Sequence, residues 1–326
     1  MRPNRLSADG QAPEGKQPTD PLSLTICCTP KRFDGQFRRI QLNAFRSWAA
    51  LDPRPFVMVF GSESGTREVC EEFGFTHFPE VKTSPSGIPY LDDLLTKARA
   101  ECVTSHLGYV NADIILLSDF VSVFRECIGL SRDAAFACSP INFRLERDLD
   151  TAEPLWEELL RQETVSSEAV PTTVGADVFV LPLDSLTKVP QLAIGAYWFD
   201  FWFLWRIAFS RGPGIDTTPA LLAIHQDHSE SSHTHASNRI STFDSDQNAR
   251  FLRWWQRLCW RVDLPYEMTS QGVIRRRFRM GRISTLLRVT RRQFSRRQLT
   301  KAWFKAMKSS YQLRRRLRLY RFWKEN

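Results

Sequence analysis

The apolar residues in the first part of the chain fall into short continuous runs that alternate with stretches of helical spacing. Continuous runs at 22–28 and 56–60 are typical of strands buried on both faces. Between them, apolar residues recur every three or four positions from 37 to 51, and Asp52-Pro53 ends the pattern. This stretch therefore predicts a strand, a helix and a second strand.

The same alternation continues along the chain. Helical spacing at 66–73 and 90–102 surrounds a short strand-like stretch at 76–78, and an apolar run follows at 107–117. The later segments that we predict are helices at 119–128 and 198–209 and strands at 134–139 and 175–181. Alternation of this kind predicts an α/β fold, with a mostly parallel central sheet flanked by helices.

One carboxylate interrupts the apolar run at 107–117. Asp113 stands where a charged group is costly unless it is paired, hydrogen-bonded or bound to a metal. The alternative is that it caps the next helix, although Ser118 and Asp119 are also placed for that role. Asp113 is therefore the first candidate for chemistry.

Two other polar clusters are expected at the same edge of the sheet. In sheets of this class, ligands bind beyond the carboxyl ends of the strands. Thr29, Gly61–Glu63 and Asn111–Asp113 each follow a predicted strand directly. We therefore expect these three clusters to converge on one site.

Charge is distributed unevenly along the 326 residues. Residues 271–326 hold 19 of the 45 Lys and Arg side chains and a single acid, Glu325, whereas the preceding part is net acidic. The division expected is a disordered leader at 1–21, an α/β domain at 22–250 and a basic amphipathic helical tail at 251–326. Aromatic and basic residues interleave in the tail, which favours attachment of residues 271–326 to an anionic membrane surface.

The tail leaves two alternatives open. It would also attract a polyanionic acceptor or nucleic acid, or it could form a basic helix packed on the body; nucleic acid is not the expected partner. The seven cysteines lack the paired spacing of a zinc site, and no run reaches the length of a membrane span of about 20 apolar residues. We expect a cytoplasmic protein, peripheral at the inner face of a membrane if the tail binds lipid.

A set of short motifs occurs along the chain in a defined order. They are Thr29-Pro30, Ile40-Gln41-Leu42-Asn43-Ala44, Ser47-Trp48, Phe60-Gly61, Gly87-Ile88-Pro89, Tyr109-Val110-Asn111-Ala112-Asp113-Ile114, Gly175-Ala176-Asp177-Val178-Phe179, Trp198-Phe199-Asp200 and Ile224-His225-Gln226-Asp227-His228. Over roughly residues 22–250, this set resembles a bacterial and plant group of nucleotide-diphospho-sugar glycosyltransferases with the GT-A fold. The resemblance implies transfer of a sugar from a nucleotide-diphospho-sugar to a glycan or lipid-linked acceptor.

The resemblance implies a metal centre. Asn111-Ala112-Asp113 is similar to the metal-binding DxD motif, with an amide in place of the first carboxylate. Asp113 would bind Mn²⁺ or Mg²⁺, and Asn111 would act through water or the ribose. His225 would be a further ligand, with His228 as the reserve. The alternative for both histidines is an ordinary surface loop.

The resemblance also implies a catalytic base and binding residues. Asp200 would take the acceptor proton in an inverting reaction, although an Asp before an apolar helix is also a normal N-cap. In this chain Phe199 separates Trp198 from Asp200, and Gly195-Ala196 stands where Gly-Arg is usual in the family. The residues implied at the acceptor are Asp177, Trp198 and Trp202, and those at the nucleotide are Thr29, Pro30 and Glu63. Asp177 as a plain strand-end residue and Glu63 as a turn residue are the alternatives.

Two other functions are compatible with the pattern. A sugar-nucleotide nucleotidyltransferase shares the predicted sheet, but normally has a glycine-rich phosphate loop after the first strand, where this chain has only Gly35. The second alternative is an inactive transferase-like module that binds membranes or polyanions through its basic tail.

Overall fold

A computed structural model describes residues 24–167, 171, 175–228, 242–253 and 256–276. The predicted leader and the tail beyond 276 lie outside the described residues. The strands are β1 (Leu24–Cys28), β2 (Phe56–Phe60), β3 (Thr76–Phe78), β4 (His106–Val110), β5 (Ile114–Ile115), β6 (Ala135–Cys138), β7 (Ile141–Phe143), β8 (Val178–Pro182), β9 (Gly214–Asp216), β10 (Ile224–Gln226), β11 (Tyr266–Thr269) and β12 (Gly272–Arg275). The helices are α1 (Gly35–Ala49), α2 (Thr66–Phe73), α3 (Leu91–Glu101), α4 (Asp119–Leu130), α5 (Trp156–Ser166), α6 (Phe199–Ala208) and α7 (Thr242–Phe251).

The main sheet has nine strands in the order β12-β11-β9-β6-β8-β4-β1-β2-β3. The run β4-β1-β2-β3 is parallel throughout, and β8 lies antiparallel between β4 and β6. The fold class predicted from the sequence, α/β with a mostly parallel central sheet flanked by helices, is confirmed. Because β4, β1 and β2 are neighbours, the polar clusters that follow them share one edge of the sheet.

Two apolar cores lie on opposite faces of this sheet. Ile26 and Cys28 of β1 pack in one core with side chains of α1, α2 and α4, whereas Cys27 packs in the other with α3 and α6. Side chains alternate across a strand, so a strand covered on both faces is apolar at every position. This is why the strands appear in the sequence as continuous apolar runs.

A second sheet of three strands, β5-β10-β7, brings the late part of the chain to Asp113. The predicted run at 107–117 is not one strand: β4 ends at Val110 and β5 begins at Ile114. His225 of β10 pairs with Ile114 in antiparallel register. The break leaves residues 111–113 in a turn at the sheet edge, directly beside the histidine segment.

The main sheet continues to residue 275, beyond the predicted domain boundary at 250. Strand β11 pairs in parallel with β9, and β12 pairs with β11 as a hairpin. Arg261 and Arg276 both donate to the carboxylate of Asp216, which is 0% exposed. A buried carboxylate needs such partners, so the first basic residues of the predicted helical tail belong to the domain.

Two further observations concern the helices. Helix α7 begins at Thr242 and runs across the predicted boundary at 250. Within the described ranges, no helix combines the length and the apolar character needed to cross a membrane.

Candidate active site

Asp113 lies in the turn between β4 and β5, and its side chain is 20% exposed. Its Oδ2 atom lies 3.5 Å from Nε2 of His225 and 3.4 Å from Nε2 of His228. Its Oδ1 atom is buried and has no hydrogen-bond partner among the described residues. The carboxylate therefore faces both histidines and keeps one oxygen available for a ligand.

The alternative that Asp113 caps the next helix does not fit the structure. Helix α4 begins at Asp119, and the Asp119 carboxylate instead accepts hydrogen bonds from the backbone N–H of Leu222 (2.9 Å) and from Arg161 (3.1 Å). No side chain caps α4 at Ser118. Asp113 is thus placed for the histidine cluster and not for the helix.

A buried amide pair holds the backbone of Asp113 in place. Both the backbone N–H and the Nε2 of Gln226 donate to the carbonyl of Asp113, at 3.3 Å and 3.2 Å. The same Nε2 donates to the carbonyl of Ile40 at 2.8 Å, and Asn43 donates to the Oε1 of Gln226 at 3.1 Å. Sequence reasoning missed this role. The available signal was a Gln and an Asn inside apolar segments, where buried amides need partners.

Helix α1 also fixes the strand that follows Asp113. The indole Nε1 of Trp48 donates to the carbonyl of Ile114 at 2.9 Å, and the backbone N–H of Leu116 donates to the Ser47 hydroxyl at 3.1 Å. These side chains satisfy backbone groups that a two-residue strand leaves without ladder partners. The turn is therefore held on both sides of the carboxylate.

The two histidines converge, although the sequence predicted His225 with His228 only in reserve. Their ring centroids lie 5.2 Å apart. One ligand atom from each of Asp113, His225 and His228 lies within 4.8 Å of the other two. A carboxylate and two imidazoles at these distances form a donor set that a divalent cation can bridge with small adjustments. Imidazole ligands suit Mn²⁺ better than Mg²⁺, which prefers oxygen.

The charges of these three groups are tightly coupled. Burial raises the pKa of Asp113, but the adjacent His225 and His228 outweigh it and hold that pKa well below its usual range. Burial lowers the pKa of His225, but the charge and hydrogen bond of Asp113 outweigh it and raise the pKa to about 9. A pKa of about 9 keeps His225 protonated at neutral pH when no cation is bound, so a cation that binds His225 must displace this proton.

The predicted nucleotide residues follow the neighbouring strands. Cys27 of β1 pairs with Tyr109 of β4, and the Thr29 hydroxyl shares a hydrogen bond with the buried Tyr109 hydroxyl. Pro30 is buried, so it shapes the backbone and offers little surface to a ligand. Glu63 lies partly buried in the turn that leads into α2, and its carbonyl accepts from the N–H of Thr66 at 3.1 Å.

Asn111 and Asp177 are joined in the structure. The Nδ2 of Asn111 donates to Oδ1 of Asp177 at 2.8 Å, and its backbone N–H donates to the Asp177 carbonyl at 3.2 Å. Asp177 is therefore part of the site's framework, and the side-chain oxygen of Asn111 is the atom left for a ligand. Burial raises the pKa of Asp177 to about 6, with the positive charge of His225 opposing and the negative charge of Asp113 adding.

Asp200 lies in the first turn of α6, close to the Asp177 segment. A Cβ atom added to Gly175 would lie only 2.7 Å from Oδ2 of Asp200, so this approach requires glycine. Burial, followed by the negative charge of Asp177, raises the pKa of Asp200 to about 7. Hydrogen bonds from the backbone N–H groups of Phe201 and Asp200 to the Asp200 carboxylate partly oppose this rise in its pKa. The N-cap residue of α6 is Trp198 and not Asp200.

The two predicted acceptor tryptophans differ in their placement. Trp198 is partly exposed and has φ of 83°, a conformation that a bulky side chain rarely adopts. The guanidinium of Arg257 lies 5.7 Å from its ring centroid. Trp202, which the sequence analysis also placed at the acceptor, is 2% exposed and packs against Phe203 in the core, so it offers little surface to a ligand.

Comparison with known proteins identifies similar structures only. No protein-family model matches this sequence, and no curated protein matches it either. Residues 1–349 of S. aureus TarS in complex with UDP-GlcNAc match 51% of this chain and 47% of that chain, at 12% identity and a TM-score of 0.34. In a longer TarS structure the match spans 35% of that chain.

Two further solved structures are similar over more of the chain. Glucosyl-3-phosphoglycerate synthase from Mycobacterium tuberculosis, in complex with Mn²⁺, UDP and phosphoglyceric acid, matches 67% of this chain and 75% of its own, at 14% identity and a TM-score of 0.40. The mannosyltransferase PcManGT from Pyrobaculum calidifontis, in complex with GDP-Man and Mn²⁺, matches 69% of this chain and 63% of its own, at 13% identity and a TM-score of 0.41.

Proposed function

We propose that this chain is a GT-A glycosyltransferase that moves a sugar from a nucleotide-diphospho-sugar to a glycan or lipid-linked acceptor with the help of a divalent metal. The observation that carries the proposal is the convergence of Asp113, His225 and His228 at the carboxyl edge of a mostly parallel sheet. An edge of this kind is where α/β sheets bind nucleotides.

The donor set indicates how the metal would be held. Asp113, His225 and His228 would be its protein ligands, with Mn²⁺ favoured over Mg²⁺ by the two imidazoles. When bound, the cation supplies positive charge to the diphosphate as it leaves. Gln226 and Asn43 hold the backbone of the Asp113 turn in position, so only small side-chain adjustments would be needed to bind the cation.

The remaining site residues take roles that their surroundings support. Asp200 is the proposed base in an inverting reaction, because its raised pKa lets it accept a proton from the acceptor hydroxyl near neutral pH. Asp177 and Trp198 are proposed to contact the acceptor. Thr29 and Glu63 are proposed to contact the nucleotide at the ends of β1 and β2.

A panel of sugar nucleotides tests the proposed function. Purified protein is mixed with UDP- and GDP-linked sugars, with and without Mn²⁺, and thermal stabilisation and nucleotide release are measured. A transferase is stabilised by its donor in a Mn²⁺-dependent manner. Release of pyrophosphate from a nucleoside triphosphate and a sugar phosphate would instead identify a nucleotidyltransferase. Absence of any nucleotide binding would favour the inactive module.

Metal affinity is expected to rise with pH. Because the pKa of His225 is raised to about 9 in the metal-free protein, Mn²⁺ must displace a proton at any lower pH. For one displaced proton, the association constant should rise about tenfold per pH unit between pH 6 and 8 and level off above 9. Titration calorimetry across this range, without nucleotide, measures the slope. An affinity independent of pH would show that Mn²⁺ does not bind at His225.

The basic tail is proposed to hold the enzyme at an anionic membrane surface. Arg276 is engaged by Asp216 and Glu267, so the charge available to lipid is expected to come mainly from residues beyond it. The full chain should sediment with vesicles containing phosphatidylglycerol at physiological salt, and not with phosphatidylcholine alone. If both vesicle types leave the protein in solution, this attachment is wrong.

A further inference from the structure

Lys31 lies just beyond β1 at the edge of the sheet that carries Asp113. Strand β1 ends at Cys28, and its neighbour β4 leads directly into the Asp113 turn. The side chain of Lys31 keeps an exposed surface, although nearby protein partly desolvates its ammonium group. It is therefore a cation at the edge of the candidate site. It belongs neither to the proposed metal ligands nor to the pair of carboxylates formed by Asp177 and Asp200.

A single buried side chain fixes the backbone of Lys31. The Oε1 of Gln41 accepts from the N–H of Lys31 at 2.6 Å, and the Nε2 of Gln41 donates to the carbonyl of Lys31 at 2.9 Å. Gln41 is itself almost fully buried on α1. Two hydrogen bonds from one rigid helix hold this loop residue, so the starting point of its side chain is set before any ligand arrives.

The ammonium group of Lys31 is directed to the metal side. Its Nζ lies 4.3 Å from the ring centroid of Phe37, and the Phe37 ring also contacts His228, with ring centroids 5.4 Å apart. Phe37 therefore connects Lys31 with a proposed metal ligand. Desolvation by the surrounding protein lowers the pKa of Lys31, and the negative charge of Asp113 partly opposes this shift.

No carboxylate pairs with Lys31 among the described residues, in contrast to its neighbour. Arg32 forms an ion pair with Asp34 at 2.8 Å and points its charge into solvent. A partly desolvated ammonium without a counter-ion, beside a divalent cation site, creates a region of positive potential. A divalent cation on Asp113 and two neutral histidines leaves one net positive charge, and Lys31 adds another. Both phosphates of a sugar nucleotide are ionised, so their charge matches this region.

We infer that Lys31 binds the diphosphate of the donor and stabilises it as a leaving group. This inference rests on the proposed function. In the reaction, the acceptor oxygen forms a bond to C1 of the sugar, and the bond from C1 to the diphosphate oxygen breaks. Its electron pair leaves with the diphosphate, and the acceptor proton goes to the base. The ammonium of Lys31 donates to the diphosphate oxygens, where negative charge grows.

The test compares ligands with and without a diphosphate. Binding of UDP, GDP, inorganic diphosphate, uridine and guanosine to the Mn²⁺-loaded full chain is measured by calorimetry for the wild type and Lys31→Met. The substitution should weaken the diphosphate ligands about 10- to 100-fold, as expected for the loss of a charged hydrogen bond, and leave the nucleosides unchanged. Lys31→Arg should recover most of the affinity, because it keeps the charge and the donors.

Arg32→Met is the matched control, since it removes the same charge from the next residue. It should change the affinity for the diphosphate ligands less than about twofold, because an exposed ion pair contributes little. If Lys31→Met binds the diphosphates as tightly as the wild type, or if Arg32→Met weakens them equally, the assignment of Lys31 is wrong while the proposed function stands. If the wild type binds neither UDP nor GDP, the proposed function and this inference both fail.

Discussion

Replacing Asp113 by Asn is expected to lower sugar transfer by about a thousandfold and to abolish high-affinity Mn²⁺ binding. Asp113 supplies the carboxylate of the proposed ligand set, and two imidazoles alone leave the cation with no anionic protein ligand. A catalytic cation contributes several kcal/mol to the transition state, and each 1.36 kcal/mol corresponds to about tenfold in rate. Initial rates of nucleotide release with saturating Mn²⁺, together with calorimetric titration of Mn²⁺, measure both effects.

The fold should survive this substitution. Asn has nearly the shape of Asp, and the hydrogen bonds from Gln226 reach the backbone carbonyl of residue 113 and not its side chain. Asp113→Ala should behave in the same way, with circular dichroism like that of the wild type. Asp184→Asn is the matched control, because Asp184 is exposed and follows the far end of β8, at the opposite edge of the sheet. Turnover by Asp113→Asn at the wild-type rate would overturn the metal site.

The sequence predicts the central sheet well for a physical reason. Strands such as β1 and β4 are covered on both faces, so each position carries the apolar signal by itself. The hairpin of β11 and β12 was not predicted, since its attachment depends on Asp216, which lies 45 residues before Arg261. A buried carboxylate that pairs with two arginines across the fold leaves no local pattern, and the arginines alone look like part of a basic tail.

The same difference between local and long-range signals applies to the candidate site. The cost of burying Asp113 was visible locally, and so was the histidine segment. The hydrogen bond from Asn43 to Gln226 joins residues 183 positions apart, and it depends on which face of α1 meets β10. No local pattern in the sequence could predict it. The burial of Trp202 could not be predicted for a related reason. Helix α6 is apolar almost all round, and its sequence gives no periodic signal to show that Trp198 lies at the surface and Trp202 in the core.

Replacing Asp200 by Asn is expected to lower kcat by roughly 10²- to 10⁴-fold, the usual contribution of a positioned general base. Donor binding should change little, because Asp200 lies on the Asp177 side of the site and not among the metal ligands. The wild-type rate should rise with pH through about 7, since the raised pKa keeps Asp200 protonated and inactive as a base below that value. Rates of transfer between pH 5.5 and 8.5, measured at saturating donor and Mn²⁺, test the rising limb.

The pH dependence of the transfer rate in an Asp177 variant shows whether Asp200 acts as a base or only as a structural carboxylate. Because the negative charge of Asp177 helps to raise the pKa of Asp200, Asp177→Asn should shift the rising limb to lower pH. The amide of residue 177 can still contact Asn111, so the turn should keep its shape. A structural role for Asp200 predicts a fall in rate with no movement of the limb in Asp177→Asn. An unshifted limb in that variant, or an Asp200→Asn enzyme that keeps the wild-type pH profile, would assign the proton transfer to another group.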